Sequence, residues 1–338
     1  MNFKKYNSIE NSYQEDFIHS LIEQGFDELE YIVQEKVHGA NLSFITDGQT
    51  IKSAKRTELI LDNEPFFNSQ LVQEKYSGNI NALFTAVSER FDAKIVSIFG
   101  ELFGGGYPHP DILKDDHAKL VQRGIYYCPA NDFLAFDILI NNETYLDTET
   151  VSGLFQEFGF LYAKSLFKGH LKDCLAYSNS FKTTIPSEFG LPELNGNICE
   201  GVVIRPVKPT FLRNGSRVLI KNKNERWAEN NNFIDKTILH QLLNDGENEL
   251  SDNARFLCEE IYKLITQNRL SNLISKIGEV NPLKDFGKVL GLYNKDVLTD
   301  FMKTYQNAYD ALENNEGKAV NKFLNKHSGQ LINDYFEN

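Results

Sequence analysis

Up to Trp227 the apolar residues of this chain recur mostly at intervals of two, and beyond it at intervals of three and four. EYIVQEKV (30–37), ANLSFITD (40–47) and TIKSAKR (50–56) read as short strands, and Asp47-Gly48 between two alternating runs marks a hairpin. Further strands are predicted at KIVSIFGELF (94–103), DFLAFDILI (132–140), EGVVIRPV (200–207) and SRVLIKNK (216–223). Helical spacing is found at 9–25, with Phe17, Ile18, Leu21 and Ile22 on one face, and again at about 68–90 and 148–160. This is an α+β layout with a mainly antiparallel sheet and flanking helices. AENNNF, directly after Trp227, reads as a linker. Later apolar residues, Phe256, Leu257, Ile261, Leu264 and Ile265 among them, keep helical spacing, as do 296–312 and 317–332. Two domains are therefore expected: 1–233, mixed α+β, and 234–338, small and all-α.

Composition changes this picture little. The apolar share of 41% and charged share of 24% suit an ordinary core. No run is long and apolar enough for a membrane span, and the N-terminal residues lack the apolar stretch of a secretory signal. Cys128, Cys174, Cys199 and Cys258 are scattered, which argues against a zinc site or disulfide framework and fits a reducing cytoplasm.

Charge changes it more. The net charge of −12 argues against a nucleic-acid partner at first sight, but phosphate binding depends on local clusters. Arg205, Lys208, Arg213, Arg217, Lys221, Lys223 and Arg226 crowd one segment that holds a single acid, Glu225. They alternate with apolar strand residues, so one face of a strand pair becomes basic and the other buried, a surface suited to polyphosphate or a nucleic-acid backbone.

Lys36 opens a K-x-x-G sequence, and so do Lys75, Lys284, Lys288 and Lys326. What separates Lys36 is its place between two strands and the residues that follow in order: EKVHG (35–39), AKRT (54–57), SIFGELFGG (97–105), FLAFDI (133–138), EGVVIRP (200–206) and VLIKNK (218–223). This series resembles the motifs of the covalent nucleotidyltransferases, the polynucleotide ligases and capping enzymes. Its wording is most similar to the phage RNA ligase 2 group, which includes the trypanosome RNA-editing ligases. SNLISKIGEVNPLKDFGKVLGL (271–292) also resembles the helical C-terminal domain of the nick-sealing members.

The resemblance implies an ATP-grasp-like adenylyltransferase domain followed by the helical domain. It implies an ATP-dependent RNA ligase that joins 3′-hydroxyl and 5′-phosphate ends, with nicked duplex RNA as partner, Mg²⁺ or Mn²⁺ as metal, and a monomeric enzyme of the cytoplasm, that of a phage host included. Lys36 would attack the α-phosphorus of ATP. Only a neutral amine does this, and burial with nearby positive charge from Lys221 and Lys223 would favour it. Those two lysines would also bind the α-phosphate. Glu101 would bind a ribose hydroxyl, Phe136 would stack on adenine, and the backbone at Glu35 would read the base. Glu200 would sit by the reacting phosphate and help hold the metal. Arg56 would engage the nucleotide and the donor 5′-phosphate, where a planar fork suits phosphate oxygens. Asn41, His38, Asp137 and Arg205 match further family positions, with an orienting role implied for Asp137. Lys276, Lys284 and Lys288 are candidate backbone contacts to RNA. Ala40 departs from a family threonine, and Arg205 from a family lysine.

Three other readings are weighed, of which an acidic protein-interaction module has no support beyond the net charge. A DNA ligase or GTP-using capping enzyme normally appends a β-barrel after the last motif, whereas this chain turns helical there. A non-catalytic RNA-end-binding protein need not keep Lys36, Glu101, Glu200, Lys221 and Lys223 together.

Overall fold

Backbone pairing follows the alternation read from the sequence. The computed structural model describes residues 2–227 and 250–337. The chain divides into two compact units, Met1–Trp227 and Ala228–Asn338. The expected linker at 228–233 and the boundary at 233/234 lie outside the described residues.

The first unit holds two five-stranded sheets. Sheet A orders β1 (Glu10–Asn11), β10 (Ile220–Lys223), β9 (Gly201–Pro206), β2 (Tyr31–Glu35) and β8 (Ser165–Gly169). Sheet B orders β4 (Ile51–Lys55), β3 (Ala40–Thr46), β5 (Val96–Gly104), β6 (Asn131–Ile140) and β7 (Thr144–Tyr145). All pairings are antiparallel except β1 with β10.

Each sheet buries one face under helices. Leu42 and Phe44 of β3, Ile98 and Leu102 of β5, and Phe133, Ala135 and Ile138 of β6 pack with Val72, Ile80 and Leu83 of α2 (Ser69–Phe91) and with Leu154 and Phe155 of α3 (Thr148–Glu157). On sheet A, Tyr31, Val33, Val202, Ile204 and Ile220 pack with Leu21 of α1 (Glu15–Glu23) and Leu171 and Cys174 of α4 (Leu171–Leu175). Because side chains alternate, the residues between these positions form the opposite faces. The candidate chemistry sits there. The basic face expected on β9 and β10 is therefore present, but turned into the protein: Arg205 is buried.

Two differences from the sequence reading concern the N-terminal segment. The helix expected at 9–25 begins only at Glu15, because Glu10 N–H donates to Leu219 O (2.9 Å) and Ser12 N–H to Lys221 O (2.9 Å), adding a strand to sheet A. Ile22, expected on the apolar face, is 51% exposed. The hairpin at Asp47-Gly48 forms as expected, with the Asp47 carboxylate accepting from the N–H groups of Gln49 and Thr50.

The described part of the second unit is all helical: α6 (Asp252–Leu264), α7 (Gln267–Ile277), α8 (Pro282–Asp310) and α9 (Asn314–Glu337). Ser251, Thr266 and Asn281 cap the first three, each accepting from backbone N–H groups, which is why the helices begin there. Leu257, Ile261, Leu270, Val289, Tyr293, Phe301, Leu324 and Ile332 share one core. Arg269 is buried beside it and donates to Asp296 (2.6 Å) and Asp300 (2.8 Å). Lys276, Lys284 and Lys288 are exposed. Among the described residues no helix is long and apolar enough to cross a membrane.

All four cysteines are buried and unpaired, and burial raises each thiol above its ordinary value. A buried, protonated thiol is a poor nucleophile. A colorimetric thiol reagent at pH 8 is expected to label none of them until denaturant unfolds the chain. Rapid labelling of native protein would contradict that burial.

Candidate active site

The K-x-x-G spacing has a steric origin. Lys36 continues from β2, and its N–H donates to Gly201 O (2.9 Å). Three residues later Gly39 stands next to β3 in the other sheet. A Cβ there would lie 2.2 Å from Leu102 O and 2.9 Å from Glu101 Cγ, so a side chain is excluded. Lysine and glycine are thus the two ends of a crossing between sheets.

Glu200 is fixed just before β9 by a similar device. Gly201 has φ +144°, and a Cβ on it would lie 2.2 Å from Asn222 O. The Glu200 carboxylate is 1% exposed. Its Oε2 accepts from Lys36 Nζ at 2.7 Å, its Oε1 lies 3.1 Å from Lys223 Nζ, and His38 Nδ1 lies 3.5 Å from Oε2. Burial alone raises such a carboxyl. Here Lys36, Lys223 and His38 outweigh it and hold Glu200 well below the usual carboxylate range. Lys221, two residues before Lys223, is on the same face of β10.

Sheet B supplies the opposite wall. Asn41 and Glu101 are direct cross-strand partners. Burial pushes Glu101 up to about 7, with Lys36 and Arg56 opposing that shift and Glu200 adding to it. Arg56, following β4, donates to Asn7 O at 3.3 Å. Burial lowers its guanidinium from the ordinary value, against the pull of Glu101. A cavity opens between the sheets, lined by Glu35, Lys36, Asn41, Arg56, Glu101, Phe136 and Arg205 from the expected set. Tyr6, Ile9, Gln34, Val37, Leu134, Ala163 and Val203 complete it.

Phe136 occupies a β-bulge. Phe99 pairs with Asp137 and Gly100 with Ala135, so Phe136 is the extra residue. Regular alternation would send Asp137 into the core with Phe133 and Ala135. The bulge instead leaves Phe136 in the cavity wall, its ring 5.1 Å from that of Tyr6, and turns Asp137 toward sheet A. Asp137 is wholly buried and its Oδ2 accepts from Arg205 (2.9 Å), Arg217 (2.7 Å) and Tyr6 Oη (2.8 Å). Arg205 also donates to Phe136 O (2.8 Å), and the Arg217 guanidinium lies 3.7 Å from the Tyr145 ring centroid. Two arginines of the basic segment are therefore engaged internally. Arg205 thus links the carboxylate of Asp137 to the carbonyl of Phe136.

The side chain of Glu35 faces away from this chemistry. Its carboxylate accepts from the Thr183 hydroxyl and from the N–H (2.8 Å) and hydroxyl (2.6 Å) of Thr184, just ahead of α5 (Ile185–Glu188); burial raises its pKa despite these bonds. Only its backbone is left to face a base. His38 is 4% exposed and rests against Trp227. Ala40 is buried in the core of sheet B, where no hydroxyl is available.

The donor set fits a divalent cation that arrives with phosphates. Among the described residues no group of three or more His, Cys, Asp or Glu side chains could cage one. The Glu200 carboxylate stands beside the lysines, and a hard cation needs only one or two carboxylates when phosphates and water complete its shell. Sequence reasoning missed Tyr6, which lies ahead of the expected helix, Ile9, which stands at the start of it, and the threonines at 183–184.

Comparisons with known proteins follow this geometry. The chain matches the RNA ligase family over residues 29–223, and the T4 RNA ligase 2 C-terminal family over 248–330. Mitochondrial RNA-editing ligase 1 of Trypanosoma brucei brucei is 27% identical over 380 residues, covering 96% of this chain and 78% of that protein. Mitochondrial RNA-editing ligase 2 of the same organism is 30% identical over 351 residues, covering 89% and 83%. A solved apo mutant of a Naegleria gruberi RNA ligase matches with TM-score 0.45 at 14% identity, covering 67% of this chain and 57% of that one. The two family matches fall one on the sheet unit that carries Lys36 and Glu200 and the other on the helical unit, and the chain belongs to the ATP-dependent RNA ligases of the T4 RNA ligase 2 type.

Proposed function

We propose that this enzyme seals 3′-hydroxyl and 5′-phosphate RNA ends at nicks in duplex RNA, through lysyl-AMP and AMP-capped RNA. In the first step Lys36 Nζ attacks the α-phosphorus of ATP, the N–P bond forms, and pyrophosphate leaves. In the second the 5′-phosphate of RNA takes the AMP from Lys36. In the third the adjacent 3′-hydroxyl attacks that phosphate and AMP leaves.

The observation that carries this reading is the 2.7 Å contact between Lys36 and Glu200 beside a cavity walled by Phe136 and Glu101. Attack requires a lone pair on Lys36 Nζ, and the ammonium that donates to Glu200 has none, so it must give up a proton and leave the carboxylate. Lys221 and Lys223 hold the α-phosphate, Glu101 accepts a ribose hydroxyl, Phe136 offers its ring face to adenine, and the backbone of Glu35 reads the base edge. Asn41 supports the sugar side next to Glu101. Arg56 serves both the nucleotide and the 5′-phosphate of RNA, with His38, Asp137 and Arg205 shaping the site around them. Mg²⁺ or Mn²⁺, held by Glu200 and phosphate oxygens, neutralises charge that develops on the phosphoryl group and leaving pyrophosphate. The domains divide the work at about residue 233, the helical one gripping duplex RNA by its phosphates and 2′-hydroxyls. RNA repair is the fitting role.

Intact-protein mass spectrometry after incubation with ATP and Mg²⁺ tests this. Wild type is expected to gain one AMP, and Lys36→Ala none. Folded, nucleotide-free wild type that gains nothing, or a Lys36→Ala protein that still gains AMP, sinks the reading. An adduct with GTP alone points instead to capping chemistry.

A further inference from the structure

Lys36 changes character during the proposed cycle, and Glu200 feels that change. Unmodified Lys36 is the nearest cation to Glu200 Oε2, at 2.7 Å. Once it carries AMP its nitrogen is a phosphoramidate with no ammonium charge. At Oε2 there then remains His38, whose Nδ1 is 3.5 Å away, while Lys223 stays at Oε1. What fixes the His38 ring becomes important at that point.

Among the described residues no side-chain hydrogen bond fixes it from behind: His38 Nε2 is buried and meets no partner there. The indole of Trp227 lies against the ring instead, centroids 4.8 Å apart at 47°. Trp227 is 5% exposed, and among the described residues its Nε1 likewise meets no partner, so it contributes surface rather than a donor. The turn bearing it is well anchored. Trp227 N–H donates to Asn224 O (2.8 Å), and Asn224 N–H donates to the carbonyl of Glu200 itself (2.9 Å). Arg226 donates to Gly196 O (3.2 Å) and Gly124 O (3.4 Å), and a Cβ on Gly124 would lie 3.0 Å from the indole.

We propose that Trp227 is a positioning residue which, through His38, holds the Glu200 carboxylate while AMP is carried on Lys36. The inference rests on the lysyl-AMP reading above. It acts on the second step, in which the P–N bond to Lys36 breaks, a P–O bond to the RNA 5′-phosphate forms, and the amine regains a proton and its pairing with Glu200. The first and third steps begin with that pairing available and depend on Trp227 less.

The test uses full-length protein adenylylated with ATP, freed of nucleotide, and mixed with 5′-phosphorylated nicked RNA duplex and Mg²⁺ in single turnover. Trp227→Leu is expected to slow AMP transfer about 10- to 100-fold, the scale of a small misplacement of a reacting group. Lysyl-AMP formation in the same protein should fall less than about threefold, which also reports that it is folded. Trp227→Phe, which keeps an aromatic face, should transfer within about threefold of wild type, and Trp227→Met should behave like Trp227→Leu. In a His38→Ala background Trp227→Leu should slow transfer by less than about twofold more, because residues acting in series are not additive. Equal slowing of formation and transfer, unchanged transfer, or full additivity with His38→Ala overturns the proposal. A wild type that forms no lysyl-AMP removes the proposed function and this inference together, an outcome distinct from the other three.

Discussion

Asp137→Ala is expected to destabilise the sheet unit by about 3–5 kcal/mol, the usual cost of removing one partner from a buried ion pair. Asp137 is fully buried, and Arg205 and Arg217 are 3% and 5% exposed. Without the carboxylate both guanidiniums stay in place with a formal charge and no anion, at 2.9 and 2.7 Å from where its oxygen stood. Solvent screening does not rescue them at that depth. The ring of Tyr145 under Arg217 offsets a small part, since a cation over an aromatic face contributes about 0.5–2 kcal/mol. Tyr6 loses its acceptor as well, and with it an anchor of the N-terminal segment that walls the cavity. Denaturant and thermal unfolding of the variant measure this directly. A midpoint within a degree of wild type would show that the triad is not a buried ion cluster.

Glu200→Gln is expected to reduce lysyl-AMP formation about 10²–10³-fold, comparable to losing one preorganised electrostatic group from an active site. The substitution keeps size and removes charge. It leaves Lys36 and Lys223 facing each other across a neutral amide and takes away the oxygen donor best placed for a divalent cation. ATP binding should suffer far less, because Phe136, Glu101 and Arg56 are untouched. Quench-flow adenylylation beside equilibrium ATP binding separates the two effects, and a rate within threefold of wild type would refute the role. Stability moves with pH in a definite direction. The folded pKa of Glu200 lies below its ordinary 4.5, so its contribution is complete above that value and is lost as pH falls through the lowered one.

Strands with long runs of alternation were readable before any coordinates. ANLSFIT, VSIFGELFG and NDFLAFDILI state their own period, and Asp47-Gly48 states its turn. The lysine and glutamate of the site were readable through motif order. Features that depend on distant partners were not. β1 is two residues long and exists only because β10, more than 200 positions later, accepts it. Arg217 looks like one more solvated cation in a basic run until Asp137 is seen beside it. Trp227 reads as the end of a domain, and nothing local says that its face meets His38. The internal destination of the basic face could not be read either, because alternation tells which residues share a side and not what covers it.

The bulge at Phe136 gives this protein a point at which length matters more than composition. Most strand positions here tolerate a change of side chain if polarity and size are kept. Deleting one residue at 136 would restore an unbroken alternation with Asp137 still opposite Phe99, and in doing so would take the ring of Phe136 out of the cavity wall. The ring that walls the cavity and the carbonyl that Arg205 grips would vanish in a single event. Natural variants of this chain should therefore carry insertions and deletions in its loops, while the spacing of Ala135, Phe136 and Asp137 stays constant through descent even where the letters drift.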